Sequence, residues 1–104
     1  MLPLLKSPSK EVDVDFLVFV ERYATDLLKW DILTFFGHNA DFCGSTTQIA
    51  HRIGRSTLTI RPELGNLALL GILEQTQTED NQTLYRLTKE FGLRQLALKL
   101  AKNQ

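Results

Sequence analysis

Four residues near the middle of the chain have side chains of the kinds that bind metal ions: His38, Asp41, Cys43 and His51. A structural zinc site takes four cysteine or histidine ligands at closer spacing, so these residues do not predict one. The sequence instead favours Cys43 as a small, partly buried apolar residue and both histidines as exposed polar residues. We therefore expect neither a metal site nor a cofactor.

The motifs that mark catalytic sites do not occur in the sequence. It contains no glycine-rich phosphate loop, no G-x-S-x-G and no H-E-x-x-H. The adjacent acids Glu79 and Asp80 occupy a predicted loop tip, where water solvates both of them and neither is held as a general acid or base. We expect that the protein is not an enzyme.

A second group of polar residues has the types that bind nucleic acid. Hydroxyl, amide and guanidinium groups donate hydrogen bonds to phosphate oxygens and to base edges. The group consists of Thr46, Thr47, Gln48, Arg52, Arg55, Ser56, Thr57, Thr59 and Arg61. Each of these residues is also explained as a helix cap or as an ordinary exposed polar residue, so its function depends on the elements that hold it.

Local capping signals predict two helices that hold this group. Ser45 and Gln48 have the spacing of a capping box, in which each side chain accepts a hydrogen bond from the other residue's backbone N–H. Gly54 ends the helix in a conformation that tolerates positive φ. Ser56 or Thr57 then caps a second helix, whose apolar residues recur at helical spacing. These residues are Ile60, Leu64 and Leu67, with Gly71 as the stop. Two short helices joined by such a turn form a helix-turn-helix.

The helix-turn-helix, residues 45–71, is followed by a predicted β-hairpin, residues 72–88. Its strands ILEQTQT and TLYRLT are rich in β-branched and apolar residues and flank the polar segment EDNQ. This order of elements resembles the winged helix-turn-helix domain of MarR-like and ArsR-like bacterial transcriptional regulators, over about residues 26–88. The resemblance implies a mainly α fold with a small β-hairpin wing and additional N- and C-terminal helices, the latter at residues 89–102.

The resemblance also implies how the polar residues are used. In winged-helix regulators the second helix enters the major groove, and the start of the first helix contacts phosphates. A side chain of this helix would then reach base edges or backbone from the positions Arg55, Ser56, Thr57, Thr59 and Arg61, and Arg61 could form a bidentate contact with guanine. Residues 46–48, with Arg52 beside them, would lie against a phosphate. The predicted partner is double-stranded DNA, and the predicted function is transcriptional regulation.

Composition is consistent with one small domain. The chain has 104 residues, of which 43% are hydrophobic and 23% charged, enough for a packed core. Residues 1–10 are rich in proline and serine and are expected to form a flexible leader to a single domain at 11–104. Twelve basic and twelve acidic residues give zero net charge, so DNA binding must depend on a local patch.

The terminal helices carry apolar residues on more than one face, which predicts a homodimer. Thr25 is expected to divide residues 12–36 into two helices, with Asp26 in the first turn of the second. Thr88 is expected to cap the C-terminal helix. The predicted interface residues are Phe16, Phe19, Val20, Tyr23, Leu93, Leu96 and Leu100. The alternative is that the terminal helices pack only on each other within one chain.

Three features favour a different function, a winged-helix module that binds another protein and not DNA. Leu58, Pro62, Gly65 and Leu69 give the second helix an apolar outer face. Pro62 also removes a backbone hydrogen bond and is expected to kink or loosen the first turn. The wing segment EDNQ carries two acids and no basic residue, so it repels phosphate.

The cellular location follows from cysteine use and from the N-terminal sequence. Cys43 is the single cysteine and cannot form an internal disulfide. The first ten residues have no apolar run long enough for a signal peptide. We expect a cytoplasmic protein that does not associate with membranes.

Overall fold

The computed structural model describes residues 13–102. Within that range the chain forms five helices and one three-stranded sheet. In chain order these are α1 (Val14–Tyr23), α2 (Leu27–His38), β1 (Cys43–Ser45), α3 (Thr46–Ile53), α4 (Thr57–Leu69), β2 (Leu73–Gln77), β3 (Thr83–Leu87) and α5 (Phe91–Lys102). The predicted fold class, a mainly α winged helix-turn-helix with additional terminal helices, is confirmed. The predicted leader, residues 1–10, lies outside the described residues.

Aspartate side chains begin the first two helices. Asp13 caps α1 by accepting a hydrogen bond from the backbone N–H of Phe16 at 3.1 Å, and Asp26 caps α2 by accepting one from Lys29 at 2.9 Å. The Lys29 N–H lowers the pKa of Asp26, because it stabilises the carboxylate form. The predicted break near Thr25 is therefore confirmed, but Asp26 is the cap and does not lie in the first turn.

The helix-turn-helix forms as its capping residues predict. The Ser45 hydroxyl accepts from the Gln48 N–H at 3.2 Å, and the Gln48 side-chain oxygen accepts from the Ser45 N–H at 2.9 Å. Gly54, with φ of 73°, ends α3 in the left-handed region that favours glycine. Ser56 caps α4, and that helix continues through Pro62 to Leu69.

The wing is a hairpin joined to a third strand. Strands β2 and β3 pair antiparallel from Leu73 opposite Leu87 to Gln77 opposite Thr83. Strand β1 pairs with the other edge of β3, an element that the sequence did not predict. Cys43 begins this strand and is exposed, so the expected partial burial is wrong. The reason is the alternation of the strand, in which Cys43 faces outward while the next residue is buried.

Helices α2 and α5 pack closely at a glycine. A Cβ atom on Gly37 would overlap the backbone oxygen of Ala97 and lie 2.6 Å from the Cβ of Ala101, so only glycine fits without a shift. The start of α5 is capped by Glu90, whose carboxylate accepts from the N–H groups of the second and third residues of the helix at 3.1 and 2.8 Å. The expected cap, Thr88, lies three residues before the helix begins, and its hydroxyl accepts from the Glu90 N–H at 3.1 Å.

Candidate nucleic-acid interface

The first turn of α3, the middle of α4 and the wing surround one polar pocket of about 290 Å³. Its lining residues are Ser45, Thr46, Thr47, Arg61, Gln82, Thr83 and Tyr85. Thr47 and Arg61 are exposed, and Thr46 is half-buried. The fold therefore brings together predicted phosphate-contacting residues and the predicted base-contacting arginine. The Gln48 side chain is exposed, but its oxygen is already bonded in the capping box.

The hydroxyl groups at the start of α4 are engaged with each other. The Ser56 hydroxyl accepts from the Thr59 N–H at 3.1 Å and is hydrogen-bonded to the Thr59 hydroxyl at 2.9 Å. Both residues are exposed, while Thr57 is half-buried. Ser56 and Thr59 thus form an exposed cap at the start of α4.

The arginines of this surface differ in what they contact. Arg55 forms an ion pair with Asp31 of α2. The Arg52 guanidinium lies over the rings of Phe35 and Phe42, at 5.8 and 5.1 Å from the ring centroids. Within residues 13–102, Arg61 is the one arginine that forms neither an ion pair nor a ring contact. Since it is also exposed, its fork of donors is available to a ligand.

Charge is distributed unevenly across the interface. No acidic residue lies between Asp41 and Glu63, a stretch that contains three arginines. The wing turn, in contrast, exposes Glu79 and Asp80. Asp31 of α2 pairs with Arg55, so Arg52 and Arg61 are the arginines of α3 and α4 that have no acidic partner among the described residues.

Ion pairs hold α4 against α2. Lys29 is largely buried and pairs with Glu63 of α4 and with Asp26, the latter at 3.2 Å. The Glu63 carboxylate, followed by that of Asp26, raises the pKa of Lys29, because both favour the ammonium form. The Arg55–Asp31 pair holds the residues just before α4, and the Lys29–Glu63 pair holds α4 two turns later. Arg61 lies between these two ion pairs, on a part of the helix that is fixed to α2.

The base of the wing is anchored by Glu74. One carboxylate oxygen accepts from the Lys89 N–H and the other from Arg86 Nε, both at 3.0 Å. The Lys89 N–H, followed by Arg86, lowers the pKa of Glu74. This anchor joins the hairpin to the segment that leads into α5 and limits how far the wing can swing from the pocket.

The predicted dimer residues divide into two groups. Phe19, Tyr23 and Leu100 are buried within a single chain, so they belong to its core. Phe16, Val20, Leu93 and Leu96 are half-buried. Helices α1 and α5 are separated by a groove of about 420 Å³ that contains Leu93 and Leu96. The four half-buried residues are therefore the members of the predicted interface that remain accessible to a second copy of the chain.

The outermost apolar residues of α1 were missed by sequence analysis. Val14, Leu17 and Val18 are 64%, 51% and 51% exposed. Their spacing of three and four residues was the available signal, since it places them on one helical face. A second stripe, containing Phe19 and Tyr23, has the same spacing, and only the packed structure identifies which stripe is buried.

The described residues were also compared with the requirements of a metal site and of a membrane-spanning helix. Within residues 13–102, no group of three or more histidine, cysteine, aspartate or glutamate residues is arranged to hold a metal ion. None of the helices in this range combines the length and apolar character needed to cross a bilayer.

Two solved structures are similar to this chain. The antimony-specific transcriptional repressor AntR aligns with a TM-score of 0.62 at 21% identity, over 100% of this chain and 97% of its own. NadR, solved in complex with 4-hydroxyphenylacetate, aligns with a TM-score of 0.60 at 13% identity, over 86% of this chain and 62% of its own. No protein-family model matches the sequence, and no curated protein matches it. The two similarities support the winged-helix fold.

Proposed function

We propose that the protein is a sequence-specific DNA-binding transcriptional regulator that acts as a cytoplasmic homodimer. The observation that carries the proposal is Arg61, which is exposed, has no acidic or aromatic partner in the described chain, and lines one pocket with the first turn of α3. A helix-turn-helix that presents such a residue matches the docking of winged-helix regulators, whose recognition helix enters the major groove. The similarity in fold to AntR, a transcriptional repressor, supports the regulatory function.

The contacts divide between positioning and readout. Thr46 and Thr47 contact a phosphate, since they lie in the first turn of α3, where backbone N–H groups favour an anion. Arg52, which is exposed in the last turn of α3, contacts a second phosphate through its positive charge. Arg61 contacts a guanine edge. Arg55 is proposed to act indirectly, because its pairing with Asp31 fixes the turn before α4.

Salt-dependent titration of a random-sequence duplex tests the proposal without requiring the operator. One phosphate-contacting arginine, Arg52, in each chain of a dimer predicts a slope of log affinity against log salt of about −2. Arg52→Ala should reduce the magnitude of that slope by about one for each chain that contacts the duplex. The matched control is Lys102→Ala, which removes the same charge from α5 and should leave the slope unchanged.

Dimerisation is proposed through α1 and the groove that it forms with α5. Val18, which belongs to the exposed stripe of Val14, Leu17 and Val18, lines the groove together with Leu93 and Leu96, so a second copy would cover apolar side chains of both helices. Covering such a surface is favourable in proportion to the apolar area removed from water. A two-fold arrangement would apply the same patch of each chain to its partner.

Val18→Asp should convert the dimer to a folded monomer. Val18 is half exposed in the single chain, so the aspartate remains solvated there but would lose water at the dimer interface. Sedimentation equilibrium at micromolar concentration should give roughly twice the chain mass of 11.9 kDa for the wild type and the single mass for the variant. Leu69→Asp, at an exposed position of α4, should remain dimeric. A wild type that is monomeric at every concentration would contradict the proposal.

The exposed apolar face of α4 supports a second candidate function, binding to another protein. Leu58 and Leu69 are 78% and 87% exposed. The acidic wing favours the same alternative, because it repels phosphate. Absence of duplex binding even at low salt would make this module the better assignment.

A further inference from the structure

The outer face of α4 places apolar groups directly beside Arg61. Leu58 and Pro62 are one helical turn apart and both are exposed. Arg61 lies three residues after Leu58, on the adjoining part of the same face. A ligand that lies along this face of α4 therefore meets Leu58, Arg61 and Pro62 together.

Packing does not explain why this face has its particular residues. A Cβ atom on Gly65 would have no atom within 4 Å, so the core does not require a glycine there. Pro62 is inside the helix and exposed, and it cannot donate the usual hydrogen bond to the Leu58 carbonyl oxygen. Glycine and proline are the weakest helix formers, and here Pro62 is exposed and Gly65 has no side chain to bury. Their presence is consistent with a requirement on the outer surface of the helix.

The charge around Leu58 and Pro62 indicates which kind of ligand this face of α4 binds. The stretch between Asp41 and Glu63 has no acidic residue, and Arg61 has no partner in the described chain. A polyanion is therefore the complementary surface. In the major groove the apolar group available to leucine and proline side chains is the C5-methyl of thymine, whereas guanine offers the acceptors that arginine binds.

We propose that Leu58 and Pro62 contact thymine methyl groups next to the guanine that Arg61 contacts, so the preferred half-site contains thymine within one or two base pairs of guanine. This inference rests on the proposed DNA-binding function. It identifies Leu58 and Pro62 as specificity-determining residues, and Gly65 allows the middle of the helix to approach the groove closely.

Replacement of thymine by deoxyuridine tests the inference, since it removes the methyl group and keeps the base pairing. A preferred site is first selected from random duplexes with the full-length protein, and each thymine in it is then replaced in turn. Loss of one contacted methyl should weaken binding about three- to fivefold. The Leu58→Ala variant should bind the thymine and deoxyuridine versions of the selected site almost equally, because the alanine side chain does not reach the methyl group.

Leu69→Ala is the matched control. This leucine is equally exposed on α4 but lies about 16 Å further along the helix, so the variant should keep the full preference for thymine. Specific binding without any sensitivity to deoxyuridine would overturn the inference and leave the proposed DNA-binding function intact. Absence of duplex binding at low salt would overturn both, and loss of a protein partner on Leu58→Ala would then assign the stripe to protein binding.

Discussion

Arg61→Ala should lower affinity for a selected DNA site roughly 5- to 150-fold, about 1 to 3 kcal/mol, while affinity for random duplex changes far less. A bidentate arginine contact discriminates guanine from the other bases by this amount. Arg61 needs no rearrangement to make that contact, because it is exposed and has no ion pair or ring contact in the described chain. Parallel titrations of selected and random duplexes at one salt concentration measure the two effects.

Arg61→Lys is the informative companion to that variant. Lysine keeps the positive charge but lacks the planar fork, so random-duplex binding should persist while the preference for the selected site falls. Equal losses on both duplexes for Arg61→Ala would contradict base readout and assign Arg61 to phosphate positioning.

The helix-turn-helix could be predicted from sequence because its determinants are local. The capping box of Ser45 and Gln48 and the left-handed Gly54 each act within a few residues, and all three behave as predicted. Strand β1 could not be predicted in this way. It has three residues, one of them a glycine, and exists because β3, about forty residues later, provides its hydrogen-bonding partners.

The contacts of each arginine could not be predicted from the sequence either, because they also depend on residues that are distant in the chain. Arg52, Arg55 and Arg61 are equivalent in type and lie in one stretch, yet only the fold brings Asp31 to Arg55 and two phenylalanine rings to Arg52. Sequence analysis predicted an interface region, and within it the tertiary contacts distinguish Arg61 as the arginine without an ion pair or ring contact among the described residues. The two apolar stripes of α1 gave a similar ambiguity, which packing against α5 resolves.

Gly37→Ala should destabilise the protein by about 1 to 3 kcal/mol, although alanine is the better helix former. The added methyl would overlap the backbone oxygen of Ala97, so α2 and α5 must separate. Overpacking of this kind outweighs a gain in helix propensity of roughly 0.5 to 1 kcal/mol. A loss of 1 kcal/mol lowers the midpoint of thermal unfolding by roughly 4 to 8 °C in a domain of this size. Circular dichroism at fixed protein concentration measures the shift, since a dimer's midpoint depends on concentration.

Gly65→Ala is the same chemical change in another helix, and it should stabilise the protein where Gly37→Ala destabilises it. Its Cβ would meet no atom within 4 Å, so only the gain in helix propensity, about 0.5 to 1 kcal/mol, remains. The two variants are therefore expected to melt on either side of the wild type. Equal midpoints would mean that α2 and α5 can separate at almost no free-energy cost. In that case the close contact of α2 with α5 would contribute little to the position of α2. Lys29 and Asp31, which lie on α2 and pair with Glu63 and Arg55, would then give α4 little support. The position of Arg61 would depend on the turn between α3 and α4.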